Sequence, residues 1–149
     1  MKNDSDLFLD NQLCFPFYAT SRLITRLYQP LLKKIDLTYP QYLVMLVLWE
    51  SDSIIVSQLG KRLFLNSNTL TPLLKKMEQK GLLIRKRSNE DERTVIIELT
   101  SKGQKLKTKA TGIPNSLKEQ LNINMPMEDI LELKKSLWKF LGNFETIQL

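Results

Sequence analysis

Histidine is absent from the 149 residues, and cysteine occurs once, as Cys14. The first absence removes Ser-His-Asp triads and His-ligated metals; the second removes an internal disulfide and any zinc site built on two or more thiolates. Most common enzyme chemistries go with them, so the expectation is a protein that is not an enzyme and carries neither metal nor cofactor. Only 5 glycines are present, too few for collagen-like or Gly/Ser-rich disordered material. Long apolar runs are missing as well. The most apolar stretch, Tyr42 to Trp49, is far shorter than the roughly 20 residues that a membrane span requires. The start, MKNDSDLFLD, is too acidic and too interrupted for a signal peptide, so a soluble cytoplasmic protein with no membrane partner is expected. A 42% apolar content remains, enough for one domain or one elongated protomer to bury a core.

Charge is distributed unevenly. Between Ser57 and Ala110, thirteen basic residues stand against five acidic ones, a balance of +8, while the whole chain carries +6, so the remainder carries −2. A basic centre between slightly acidic flanks is the distribution of a nucleic-acid-binding module with separate structural ends. A solvated basic face without a partner gives the same count, so charge alone leaves both open.

The apolar positions Leu23, Ile24, Leu27, Leu31 and Leu32 recur at spacings of three and four, which predicts a long first helix within Phe15 to Ile35. Pro30 removes a backbone donor inside it, so a kink or a break is expected near Gln29. Thr38 and Gln41 have the spacing of a capping box, with Pro40 in the first turn of a second helix that runs to about Glu50. That helix is apolar nearly all round and should lie buried. A β-branched run, Ile54-Ile55-Val56, precedes a weakly capped helix of about two turns. Asn66 then caps a better one, Ser67 to Lys80, with Gly81 placed for a left-handed C-cap. Two short helices joined by a tight turn form a helix-turn-helix. Leu82 to Arg87 and Thr94 to Leu99 read as strands around the charged turn Ser88 to Arg93, so a β-hairpin follows directly. Thr100-Ser101-Lys102-Gly103 opens another helix, Met127 to Phe144 has the apolar spacing of a last one, and Pro114 and Pro126 mark interruptions. The fold class expected is mainly α with a small β-hairpin wing, a winged helix-turn-helix.

Asp91-Glu92-Arg93 followed by Leu99-Thr100-Ser101-Lys102-Gly103 resembles the wing signature of the MarR family of winged-helix transcriptional regulators. Asn66 to Arg93, together with Leu13-Cys14-Phe15 and Leu37-Thr38-Tyr39-Pro40-Gln41-Tyr42, is similar to the organic-hydroperoxide-sensing OhrR branch of that family, so the resemblance covers nearly the whole chain. It implies a homodimer formed by the N- and C-terminal helices, with residues 8–36 and 104–149 as dimerisation helices. It implies a winged helix-turn-helix over residues 37–103 reading a pseudo-palindromic site in double-stranded DNA.

The residues themselves suit that role. A recognition helix needs short polar side chains near its N-terminus; Ser67, Asn68, Thr69 and Thr71 supply them, with Asn68 able to pair with adenine and Thr71 to touch a thymine methyl. Glycine is usual at position 68 in the OhrR-like branch, and Asn68 departs from it. Pro72 is tolerated if the helix starts late. Lys75, Lys76, Arg85 and Arg87 read as phosphate contacts, which position the protein without choosing a sequence. The resemblance implies that Arg93 enters the minor groove while Asp91 holds its guanidinium; taken alone, the two could equally be a surface ion pair.

Cys14 lies at the start of the first helix, where the helix dipole favours a thiolate, the form that attacks peroxides. A buried, inert cysteine among Leu13, Phe15 and Phe17 is the alternative. Tyr18 lies four residues on and shares its helical face, whereas Tyr28 is ~21 Å further along the axis and cannot touch Cys14 within one straight helix. The resemblance implies that Tyr28 and Tyr39 of a second chain donate hydrogen bonds to the Cys14 sulfur. The function expected is a homodimeric DNA-binding repressor that senses organic hydroperoxides by oxidation of Cys14 and releases DNA. With no second cysteine, the oxidised sulfur must turn to a low-molecular-weight thiol, a backbone nitrogen, another molecule or further oxidation. The rival expectation is a MarR-like regulator released by a phenolic or aromatic ligand, with Cys14 structural.

Overall fold

The computed structural model describes residues 4–121 and 124–145. The chain divides into two compact units, Met1–Leu117 and Lys118–Leu149. After two short 3-10 turns, the first unit runs α1 (Cys14–Lys33), α2 (Tyr39–Glu50), β1 (Ser53–Ile55), α3 (Val56–Leu63), α4 (Ser67–Gln79), β2 (Leu83–Arg87), β3 (Val95–Leu99) and α5 (Ser101–Ala110); α6 (Ile113–Leu121) carries the boundary between the units.

Local capping chemistry sets most of these limits. Thr38 and Gln41 form the reciprocal capping box at the start of α2, with Thr38 Oγ1 accepting from the Gln41 N–H and Gln41 Oε1 accepting from the Thr38 N–H. Asn66 Oδ1 accepts the Thr69 N–H at 3.0 Å and so starts α4. At the far end Gly81, at φ +70°, donates its N–H to Glu78 O while Leu82 donates to Met77 O, the two bonds of a Schellman stop. The expected break near Gln29 does not occur, because α1 continues through Pro30 and its last turn is anchored by the buried Leu31 and Leu32. Pro72 lies in the second turn of α4, since that helix starts at Ser67 and not later; its exposed ring costs one i→i−4 bond without ending the helix.

Ser53–Ile55 pairs antiparallel with β3 as a third strand in a sheet of order β1-β3-β2. The expected hairpin is present, β2 facing β3 from Leu83↔Leu99 to Arg87↔Val95. The core collects around α2, whose Val44, Met45 and Leu48 are closed off together with Leu59, Leu70, Leu74, Met77, Leu83 and Ile97. Burying a stripe of that kind is what holds short helices in place, because isolated helices of this length are marginal in water.

In the second unit, α7 (Met127–Gly142) begins at Pro126, with Glu128 and Asp129 in its first turn and Lys139 in its last, the signs that the helix dipole favours. None of its residues is buried, and Leu133, Leu137 and Trp138 form an apolar strip along it. Residues 122–123 and 146–149 of the expected C-terminal dimerisation segment lie outside the described residues. Among the described residues no helix is long and apolar enough to cross a membrane.

Candidate functional site

α4 rests on α3, α2 and β2 through Leu70, Leu74 and Met77, which leaves the opposite face free. Ser67, Asn68, Thr69, Thr71 and Pro72 are all exposed in its first two turns, and Lys75 and Lys76 are exposed beyond them. The Thr71 hydroxyl donates to Ser67 O at 2.8 Å, so its proton is taken and it presents outward a methyl group and lone pairs. The Thr69 N–H is taken by the Asn66 cap, which leaves Asn68 with the only uncommitted side-chain amide of the first turn.

The wing carries Arg87 and Arg93 exposed, but Arg85 is held differently. Its guanidinium meets Glu78 Oε2 through Nε at 2.9 Å and through a terminal nitrogen at 2.7 Å, while its backbone N–H donates to Glu78 Oε1. That clasp ties β2 to α4, and hydrogen bonding from the Arg85 side chain holds the Glu78 carboxyl below its usual pKa. The turn at the wing tip corrects a second expectation. Asp91 Oδ1 accepts the Arg93 backbone N–H at 2.9 Å and Oδ2 accepts the Thr94 hydroxyl at 3.2 Å, while no ion pair forms between Asp91 and the Arg93 guanidinium. A short Asp side chain reaches its own backbone two residues on more readily than a neighbouring side chain, so Asp91 shapes the turn and leaves the arginine free.

Cys14 is the first residue of α1 and is exposed, as are Leu13, Phe15 and Phe17, so the sulfur is not enclosed by these neighbours. No side chain caps this end, where Leu13 itself has helical angles. Tyr18 is exposed, with the Arg22 guanidinium 5.5 Å above its ring. Tyr28 and Tyr39 come together within one chain, ring centroids 4.6 Å apart, with Tyr42 at 5.8 Å from Tyr28. Burial, then the neighbouring Tyr39 and Tyr42, pushes the Tyr28 phenol up to about 12; burial also raises Tyr39 and Tyr42. These phenols remain protonated donors at neutral pH. The chain thus brings the two tyrosines to each other but not to its own Cys14, fourteen residues before Tyr28 on one helix.

Sequence reasoning missed three junctions that hold these parts. Lys80 donates to Asp36 O at 2.5 Å and pairs with its carboxylate, linking the end of α4 to the α1–α2 elbow. The Trp49 indole reaches Gly103, and Asp52 reaches Leu99 and Gln104. Each joins residues far apart in the chain, and only the Trp49 and Asp52 side chains themselves could have hinted at them.

A helix-turn-helix with a sheet-borne wing, a bare recognition face and basic side chains on both defines a winged-helix transcriptional regulator. A family model, Transcriptional regulator SarA/Rot, matches residues 26–110. The chain is 50% identical to the organic hydroperoxide resistance transcriptional regulator of Bacillus subtilis (strain 168) over 95% of each chain. It is 39% identical to the regulator SarZ of Staphylococcus saprophyticus, over 93% of this chain and 94% of that one. Among solved structures it is similar to AbfR in its reduced, DNA-bound form, at 37% identity and TM-score 0.73 over 91% of this chain and 94% of that one. An overoxidized AbfR bound to DNA matches at 38% identity, TM-score 0.69, over 89% and 94%. The chain belongs to the MarR family of winged-helix transcriptional regulators, in the branch of the organic hydroperoxide resistance regulators.

Proposed function

We propose that the chain is a cytoplasmic, homodimeric repressor that grips a pseudo-palindromic site in double-stranded DNA and lets go when an organic hydroperoxide oxidises Cys14. The observation that carries it is the exposed, uncapped thiol at the head of α1 in a chain half identical to an organic hydroperoxide regulator. The Cys14 thiolate attacks the peroxide, an S–O bond forms as the O–O bond breaks, and the alkoxide leaves as an alcohol. The resulting sulfenic acid has no second cysteine to turn to, so a low-molecular-weight thiol is the natural resolving partner. The protein works by binding and is not an enzyme.

The dimer is formed by residues 8–36 and 104–149 around a DNA-binding domain over 37–103. Leu13 just before α1 with Phe15 and Leu23 on it, and separately Leu133, Leu137 and Trp138 on α7, are exposed apolar side chains in the single chain. In the dimer, Tyr28 and Tyr39 of the second chain donate to the Cys14 sulfur, and Tyr18 lies beside it. On DNA, Ser67, Asn68, Thr69 and Thr71 face the bases beside Pro72. Lys75, Lys76, Arg85 and Arg87 meet phosphates, Arg85 after leaving Glu78, and Arg93 enters the minor groove from a turn fixed by Asp91.

The rival, release by a phenolic or aromatic ligand, has one observation in its favour: a cleft of about 350 Å³ at the α1–α2 elbow, between Thr25, Gln29, Tyr39 and Lys80. Duplex binding is therefore to be measured before and after stoichiometric cumene hydroperoxide, with mass spectrometry of the Cys14 peptide. Loss of binding that tracks oxidation of Cys14 is expected. A Cys14→Ser protein that still releases DNA on peroxide treatment sinks the sensing role, and release by a phenol with Cys14 untouched moves the reading to the rival.

A further inference from the structure

α2 meets aromatic side chains at one end and the base of the wing at the other. At its N-terminal end Tyr39 and Tyr42 pack against Tyr28 of α1, and Tyr42 is only 2% exposed. About two turns further on, Trp49 meets the Tyr42 ring edge-on, centroids 6.3 Å apart, and its indole N–H donates to Gly103 O at 3.0 Å. Gly103 sits directly on the wing: a Cβ there would fall 2.1 Å from Leu82 O, the same carbonyl that accepts the Thr100 N–H at 3.1 Å and closes the foot of the hairpin. Only glycine permits that approach.

Three further bonds join the end of α2 to this foot. Asp52 Oδ1 accepts the Leu99 N–H at 3.3 Å, Asp52 Oδ2 accepts from Gln104 Nε2 at 3.1 Å, and Lys107 Nζ donates to Trp49 O at 3.0 Å. They fix the point where β3 ends and α5 begins. The far part of the hairpin has no such support, since β1 pairs only with Ile96 to Glu98. A two-stranded ribbon is marginal by itself, so the direction in which it points is set at its base.

We infer that Trp49 is a positioning residue for the wing: through Gly103 it ties the Tyr28–Tyr39–Tyr42 cluster to the foot on which the hairpin stands, and so places Arg93. The tie is read from the single chain; only its consequence for DNA rests on the function proposed above. Hydrogen–deuterium exchange on the full-length reduced protein without DNA tests it. Trp49→Phe keeps a ring against Tyr42 and deletes the indole donor, so the amides of β2 and β3 should exchange about five- to tenfold faster while Leu70 to Met77 of α4 keep their rates. Asp52→Ala, at an exposed position, should give the same hairpin-confined pattern, and Tyr28→Leu should give it about two- to threefold. Unchanged hairpin rates in Trp49→Phe and Asp52→Ala overturn the inference. So does a uniform rise across the chain, which is ordinary loss of stability, and an unchanged hairpin in Tyr28→Leu cuts the cluster out of it. The same Trp49→Phe protein should bind a duplex with a salt slope lower by about one phosphate equivalent. If the hairpin loosens and the slope does not move, the tie stands and the placement of Arg93 on DNA fails.

Discussion

α4 and α1 are both amphipathic, yet they are finished to different degrees. α4 is capped by Asn66, stopped by Gly81 and seated on the core through Leu70, Leu74 and Met77. α1 buries only Leu31 and Leu32 at its far end; Leu13 just before it is 72% exposed, Leu23 in its third turn is 52% exposed, and no side chain caps the end that carries Cys14. The half that reads DNA is thus complete within one chain. The half that carries the thiol has its apolar surface and its free helix terminus still to be matched, as expected of a surface that is completed by a second copy.

Truncations test this contrast most severely. Leu74→Ala should cost about 2–5 kcal/mol in urea denaturation, since a fully closed site leaves a cavity. Leu23→Ala should instead leave the denaturation of the first unit nearly unchanged and weaken self-association in sedimentation; equal stability losses at the two positions would erase the distinction. Next in size, Arg93→Ala should reduce duplex affinity about tenfold and the salt slope by about one, because its guanidinium is not engaged by Asp91. Asn66→Ala should then cost about 1 kcal/mol of stability, measured by thermal or chemical melting, for the lost cap. Leu13→Ala at the corresponding end of α1 removes no cap and should cost none.

Two smaller effects concern pH. Between pH 10 and about 12 the unfolded chain gives up the Tyr28 proton while the folded chain keeps it, so stability is intact below pH 10 and falls as the pH rises through that window. Urea melts at pH 9 and pH 11 should show the fall, and Tyr28→Phe should flatten part of it. Glu78 has the opposite sign. Its pKa is lowered by Arg85, so the clasp contributes above pH 4.5 and is lost as the pH drops below it, and Glu78→Gln should remove that acid dependence.

What could be read from the sequence was local chemistry. Thr38 with Gln41, Asn66, Thr100 and Gly81 each set a helix end within three residues of themselves, and each does so in the structure. The helix-turn-helix and the hairpin followed from those ends. β1 was not legible, because three residues have no period of their own and its partner, Ile96 to Glu98, lies about forty residues away. The sequence points the Asp91 carboxylate at the Arg93 guanidinium, yet the Arg93 backbone N–H takes it, and burial of Leu31 and Leu32 carries α1 past the break expected near Gln29. Pattern sees neighbours in the chain; these outcomes were decided by neighbours in space.

The unbroken helical step of fourteen residues from Cys14 to Tyr28 works as a ruler. On the proposed dimer each sulfur is answered by phenols it does not share a chain with, so the two pockets are cross-wired. A mixed dimer of one Cys14→Ser chain and one Tyr28→Phe chain therefore retains one cysteine, facing intact phenols, with both mutations gathered in the other pocket. In a cell that makes both chains, two separately defective alleles should complement each other.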